Sequence, residues 1–173
     1  MQLIKNIKIS RRSSFSSLEI LTHLTFIFFL AFMLGARDLV YFRDYSITFE
    51  GSYRIYLGQI PYKDFFSPVG PVSFLLPALF FKLLSPNWST FILSQFFLNV
   101  LSLLLVSNIL VKIGVRPGVR YIALLFHTVF YLLLQTHPWY NTTGAFLLLA
   151  CTRTAMSPRL TGISWTGILS GIA

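Results

Sequence analysis

The sequence predicts an all-α protein, a polytopic membrane helix bundle with interfacial helices in its first external loop. Three observations predict it. The 173 residues are 55% hydrophobic and only 11% charged, whereas soluble domains average about 25% charged. Such a chain cannot clothe its surface in polar groups, so lipid must be its main solvent. Second, the basic residues stand at the ends of long apolar runs, the pattern that encodes membrane topology. Third, four of the five acids, Asp38, Asp44, Glu50 and Asp64, fall in one segment between two such runs. Carboxylates are costly near lipid, and their concentration at one membrane face marks a candidate site.

Several classes are excluded. The net charge of +9 is dispersed at span ends rather than gathered on one face, so nucleic-acid binding is rejected. Cys151 is the sole cysteine and permits no intramolecular disulfide. The sequence has no Walker loop, dinucleotide fingerprint, cysteine metal cluster or Gly-x-Ser-x-Gly elbow. His23, His127 and His137 fall at three different depths of the expected topology and cannot form one metal site.

The elements follow in order. Lys5, Lys8, Arg11 and Arg12 hold the N-terminus in the cytoplasm. Ser16 and Glu19 have capping-box spacing and open a first span at about 18–36. Its apolar run is too long for a signal-peptide core and lacks a small-x-small cleavage site, so it is read as retained. The chain emerges outside at Arg37. Asp44 can cap an interfacial helix at about 45–57, where Phe49, Tyr53, Tyr56 and Leu57 recur at helical spacing; Gly58 stops it.

The next apolar run, about 71–84, is short, contains Pro71 and Pro77, and carries Lys82. Charge decides how it lies. If it stays in the interface, nine of the 14 basic residues fall inside; the other five fall outside beside four acids. The positive-inside rule therefore favours an interfacial or re-entrant segment. Further spans are expected at about 88–111, 120–136 and 144–157. Gln95, Asn99 and Ser102 form a polar stripe on the first of these, suited to helix contacts. Gly114, Pro117 and Gly118 make a cytoplasmic turn, and residues 136–143 make a second external loop. A fifth run, about 162–173, reaches only about 18 Å as a helix, too short to cross. The remaining helices are expected from a longer chain or a partner subunit. The Asn87-Trp88-Ser89 and Asn141-Thr142-Thr143 sequons abut the membrane and carry little weight.

The first external loop resembles the GT-C integral-membrane glycosyltransferases, which include protein mannosyltransferases and the lipid A aminoarabinose transferase. The residues that carry the likeness are Asp44, Gly58, Pro61-Tyr62-Lys63-Asp64-Phe65 and Gly70-Pro71. The layout likeness covers the chain; the motif covers 44–71. The resemblance implies a multi-pass protein of the inner or plasma membrane. It would transfer a sugar from a polyprenyl-phosphate donor to a cell-envelope acceptor at the extracytoplasmic face. It implies Asp44 as the catalytic carboxylate, which orients or deprotonates the acceptor hydroxyl. Arg43, Arg54, Tyr62, Lys63, Asp64 and Asn141 are the candidate substrate-binding residues, the cations for donor phosphate. Membrane lipid and the lipid-phosphate donor are the implied partners. No cofactor is required by the resemblance, and a divalent metal is compatible with it. Two positions depart from the pattern. Asn141 stands where several members carry a second acid, and Gly70 stands where some carry a phosphate-holding Lys. The alternative reading is a non-enzymatic membrane assembly or transport subunit.

Overall fold

A computed structural model describes residues 43–134 and 140–156. Among them are five α-helices and no strand: α1 Arg43–Tyr56, α2 Val72–Leu83, α3 Trp88–Lys112, α4 Pro117–Leu134 and α5 Tyr140–Ala155. The all-α expectation holds for these residues. The expected first span, the incomplete fifth span, Asp38, His23 and His137 lie outside the described residues.

Arg43, the first described residue, is already helical, so Asp44 lies inside α1 rather than capping it from outside. Helix α1 meets α2 through more than its aromatic stripe. Thr48 and Ser52, 1% and 0% exposed, are buried on either side of Gly51. The Ser52 hydroxyl is satisfied by donating to the Thr48 carbonyl at 2.7 Å. A Cβ at Gly51 would come within 2.8 Å of the buried Phe74 ring on α2, so the missing side chain is what admits that ring. The expected aromatic stripe divides. Phe49 enters a cluster with Phe81, Phe91 and Trp88 at centroid distances of 5.2, 5.2 and 5.6 Å. Tyr53 stacks on Tyr56 and stays exposed with Leu57. Gly58, at φ +90°, ends the helix. Its N–H donates to Ile55 O and that of Gln59 to Arg54 O, the paired bonds of a Schellman stop.

Helix α2 has 12 residues, with Pro77 in its interior. At 1.5 Å per residue it is about 18 Å long, short of the ~30 Å hydrocarbon core. Four residues after Leu83, Asn87 caps α3, its Oδ1 accepting from Thr90 N at 2.8 Å. That cap is the structural use of the first sequon. Helix α3, 25 residues, is the one described helix long and apolar enough to cross a membrane.

The α3–α4 turn uses Gly114 at φ +77°. Helix α4 begins at Pro117, a few residues before the expected span, because proline suits a first helical position where its missing N–H has no partner to lose. It packs back along α3 through Leu124 and Leu103, with Phe96, Val100, Val106 and Leu110 around them. Helix α5 likewise starts earlier than expected, at Tyr140. It runs parallel to α3. Thr142 meets Gln95 near both N-termini, while Arg153 Nε donates to Asn108 Oδ1 at 3.0 Å and Lys112 Nζ to Met156 O at 3.0 Å near both C-termini.

This down-up-down order separates the charges. Lys112, Arg116, Arg120 and Arg153 gather at the end where α3 stops and α4 starts. Glu50 and Arg54, on the helix whose Phe49 touches Trp88, lie at the opposite end, where α3 starts.

Candidate functional site at the head of the bundle

The chain from Leu57 to Pro71 folds back on itself beside α1. Asp64 organises it: its Oδ2 accepts the Ile60 N–H at 2.8 Å, and its own N–H donates to Ile60 O at 2.9 Å. Tyr62 N donates to Phe65 O at 2.8 Å, part of an isolated bridge between Pro61 and Phe65. Tyr62 adopts φ +63°, a left-handed conformation uncommon for a bulky residue, and its hydroxyl donates to Val69 O at 3.0 Å. Pro61, Tyr62 and Asp64 of the motif therefore build one hydrogen-bonded knot that ties the end of α1 to the start of α2.

Two cavities adjoin at this knot, sharing Ile47 and Pro68 in their linings. The larger, about 450 Å³, lies between α1, the start of α2 and the first turn of α5. Thr48, Gly70, Val72, Ser73, Tyr140 and Thr143 are in its wall. Its chemistry suits an anion. The first turn of α2 contains no acid, and its N-cap position, Pro71, supplies no side-chain acceptor. Uncapped N-terminal amides and the positive end of the helix dipole attract a negative group. The Thr48 hydroxyl oxygen is buried in the same wall without a hydrogen-bond partner, a position that normally costs about 1–3 kcal/mol unless a ligand or water completes it.

The smaller cavity, about 370 Å³, is lined by Glu50, Gly51, Arg54, Asp64, Phe65 and Phe66 among others. Arg54 donates through both Nε and Nη2 to Glu50 Oε1, at 3.0 and 2.6 Å. The guanidinium carbon stands 5.5 Å from the centre of the Phe65 ring. Phe65 in turn packs towards Phe74, at 6.4 Å between centroids. Both partners of the ion pair are substantially exposed, so it contributes only about 0.3–0.5 kcal/mol to stability. Its main effect is to hold the two charged groups in one orientation.

Of the residues expected to form the site, Arg54 and Asp64 reach the smaller cavity. Arg54 is already engaged with Glu50 rather than held for phosphate alone. Lys63 and Asn141 are exposed, and neither is in a cavity wall; Tyr62 is likewise outside both walls and serves the knot. Arg43 and Asp44 are the first two described residues of α1. Helical periodicity puts position 44 on one face with 47, 48 and 51, and 47 and 48 belong to the larger cavity's wall. Sequence reasoning missed Thr48 and Ser73, and counted Glu50 among the clustered acids without giving it a role. Glu50 was readable as an i,i+4 partner of Arg54. Thr48 and Ser73 carry no comparable signal, since only the packing of α1 on α2 buries them.

Among the described residues no group of three or more His, Cys, Asp and Glu side chains could hold a metal ion. No protein-family model, no curated protein and no solved structure matches the chain.

Proposed function

We propose that this chain is a multi-pass membrane glycosyltransferase of GT-C type, or the N-terminal part of one, using a polyprenyl-phosphate sugar at the extracytoplasmic face. The observation that carries the reading is the larger cavity. It joins an uncapped helix N-terminus and a buried, unpartnered Thr48 hydroxyl to the α1 face on which Asp44 falls. A phosphate ester would be held by the α2 amides and the Thr48 hydroxyl, which replace the absent lysine at Gly70, while the Ser73 hydroxyl is spent on Gly70 O at 2.7 Å and holds the turn that presents those amides. The basic end of the bundle, with Lys112, Arg116, Arg120 and Arg153, would face the cytoplasm. The acid-bearing head would then be external.

The chemistry follows from that arrangement. Asp44 accepts the proton of an acceptor hydroxyl as its oxygen attacks the anomeric carbon. The bond from that carbon to the phosphate oxygen breaks, and the polyprenyl phosphate leaves with the electron pair. The cavity's donors stabilise the negative charge as it gathers on the leaving phosphate.

The test is sugar transfer from a radiolabelled polyprenyl-phosphate sugar by the full chain in proteoliposomes. Asp44→Asn should lower transfer by roughly 100-fold or more, with membrane insertion and thermal stability unchanged. Transfer at the wild-type rate by a folded Asp44→Asn variant would sink the catalytic assignment. A wild-type chain that neither transfers nor binds polyprenyl phosphate would favour a non-enzymatic assembly or transport subunit.

A further inference from the structure

We propose that the smaller cavity, between α1 and the 64–68 loop, binds a pyranose ring of the acceptor, so that the acceptor is a glycan with a neutral sugar at its reactive end. This rests on the glycosyltransferase reading and narrows its acceptor to one substrate class.

The lining combines three features that a pyranose needs together. The first is a pair of carboxylates, Glu50 and Asp64, on different segments of chain. Hydroxyl donors around a sugar ring bond best to such acceptors, because charge-assisted bonds are roughly twice as strong as neutral ones. The second is the Arg54 guanidinium, held against Glu50 and over Phe65. Its Nε–H and one Nη2–H are spent on Glu50, and the orientation this fixes leaves the other guanidinium N–H groups as donors for ring and hydroxyl oxygens. The third is aromatic surface. Phe65 stands in the wall, and Phe66 is 86% exposed at the rim. A phenyl ring so exposed does nothing for the packing of the fold. Beside polar groups that grip hydroxyls, it offers a flat surface to the C–H face of a sugar.

Charge separates the two cavities. Among the described residues the lining of the smaller cavity holds two carboxylates, Glu50 and Asp64, and one cation, Arg54, a balance that disfavours phosphate or uronate. The larger has amides and hydroxyls and suits the anion. The shared wall of Ile47 and Pro68 keeps the two ligands adjacent. Donor phosphate and acceptor ring are thereby sorted by sign before they meet.

The experiment is saturation-transfer NMR on the full chain in nanodiscs, with methyl β-D-glucopyranoside and methyl α-D-mannopyranoside as probes. At least one neutral glycoside should bind, and methyl β-D-glucuronide should bind roughly tenfold or more weakly than its neutral parent. Glu50→Gln should weaken the neutral glycoside roughly 5- to 20-fold. Phe65→Leu, which keeps an apolar side chain of similar bulk, should weaken it roughly 3-fold or more. Two results would overturn the proposal: both variants, shown to be folded by circular dichroism, bind as the wild type does, or the uronide binds best. Saturating mannosyl-phosphoryl farnesol should leave the methyl glycoside bound. Displacement would assign the cavity to the donor's sugar and overturn the acceptor reading. Farnesyl phosphate binding, measured on the same samples, reports separately on the larger cavity. If it binds while no glycoside does, the acceptor subsite fails and the glycosyltransferase reading stands.

Discussion

The α1–α2 head and the α3–α5 frame of this protein solve helix contact in opposite ways. In the head, α1 approaches α2 at Gly51, with Phe49 against Phe81 nearby, and the fit depends on what Gly51 lacks, since the Phe74 ring fills the space of its missing Cβ. In the frame, α3 carries a buried polar line, Ser94, Gln95, Asn99 and Ser102, and meets α5 partly through hydrogen bonds. The head is therefore steric and intolerant of added volume, whereas the frame is adjustable because a polar side chain can find another partner. The difference has a functional sense. Both cavities have walls on α1, so the element that must be fixed to a fraction of an ångström is the one locked by shape.

Three substitutions would break or sharpen this contrast. The largest effect is expected from Phe74→Ala, which empties the space beneath both Gly51 and Phe65. It should cost about 3–5 kcal/mol of stability, measured by thermal unfolding of the full chain in detergent, and should abolish ligand binding in the smaller cavity. Next, Gly51→Ala sets a methyl group against the Phe74 ring and should cost about 1–3 kcal/mol by the same measurement. A neutral Gly51→Ala would mean that the head yields as easily as the frame, and the contrast would collapse. The smallest effect is expected from Thr142→Val, which removes the 3.4 Å contact with Gln95 Oε1. Polar contacts between membrane helices average about 0.6 kcal/mol, and the loss should be of that size. A cost equal to that of Gly51→Ala would show the frame to be as exacting as the head.

The frame was largely legible in the sequence. A run of apolar residues from Trp88 to Lys112, an Asn before it and a Gly after it specify α3 without tertiary information. The polar stripe at Gln95, Asn99 and Ser102 was readable as a contact face because lipid leaves such groups no other place. Helix starts were read late at Pro117 and Tyr140, where turn-forming residues sit inside a first turn that tolerates them. The apolar stripe of α1 was legible, and Phe49 of it does pack on α2, but the close approach at Gly51 was not. Hydrophobic periodicity finds large apolar side chains, and a contact made by a missing side chain leaves no such mark. The motif from Pro61 to Asp64 was visible as a pattern, but its work of closing the knot at Ile60 and Val69 was not. Backbone hydrogen bonds across a loop leave no periodic trace. Neither cavity could be read in advance, because each is assembled from segments that meet only after α1 has docked on α2.

The knot itself bears on timing. Stretched out, the residues between Leu57 and Val72 could reach about 50 Å, and a carboxylate on so long a leash would spend little time beside Glu50. Because Asp64 is tied to Ile60, and Tyr62 to Val69, the entropy of that search is lost when the chain folds rather than each time a molecule arrives. A ligand of the proposed kind would meet a surface already formed, and its residence time would reflect its own contacts rather than the cost of gathering the loop.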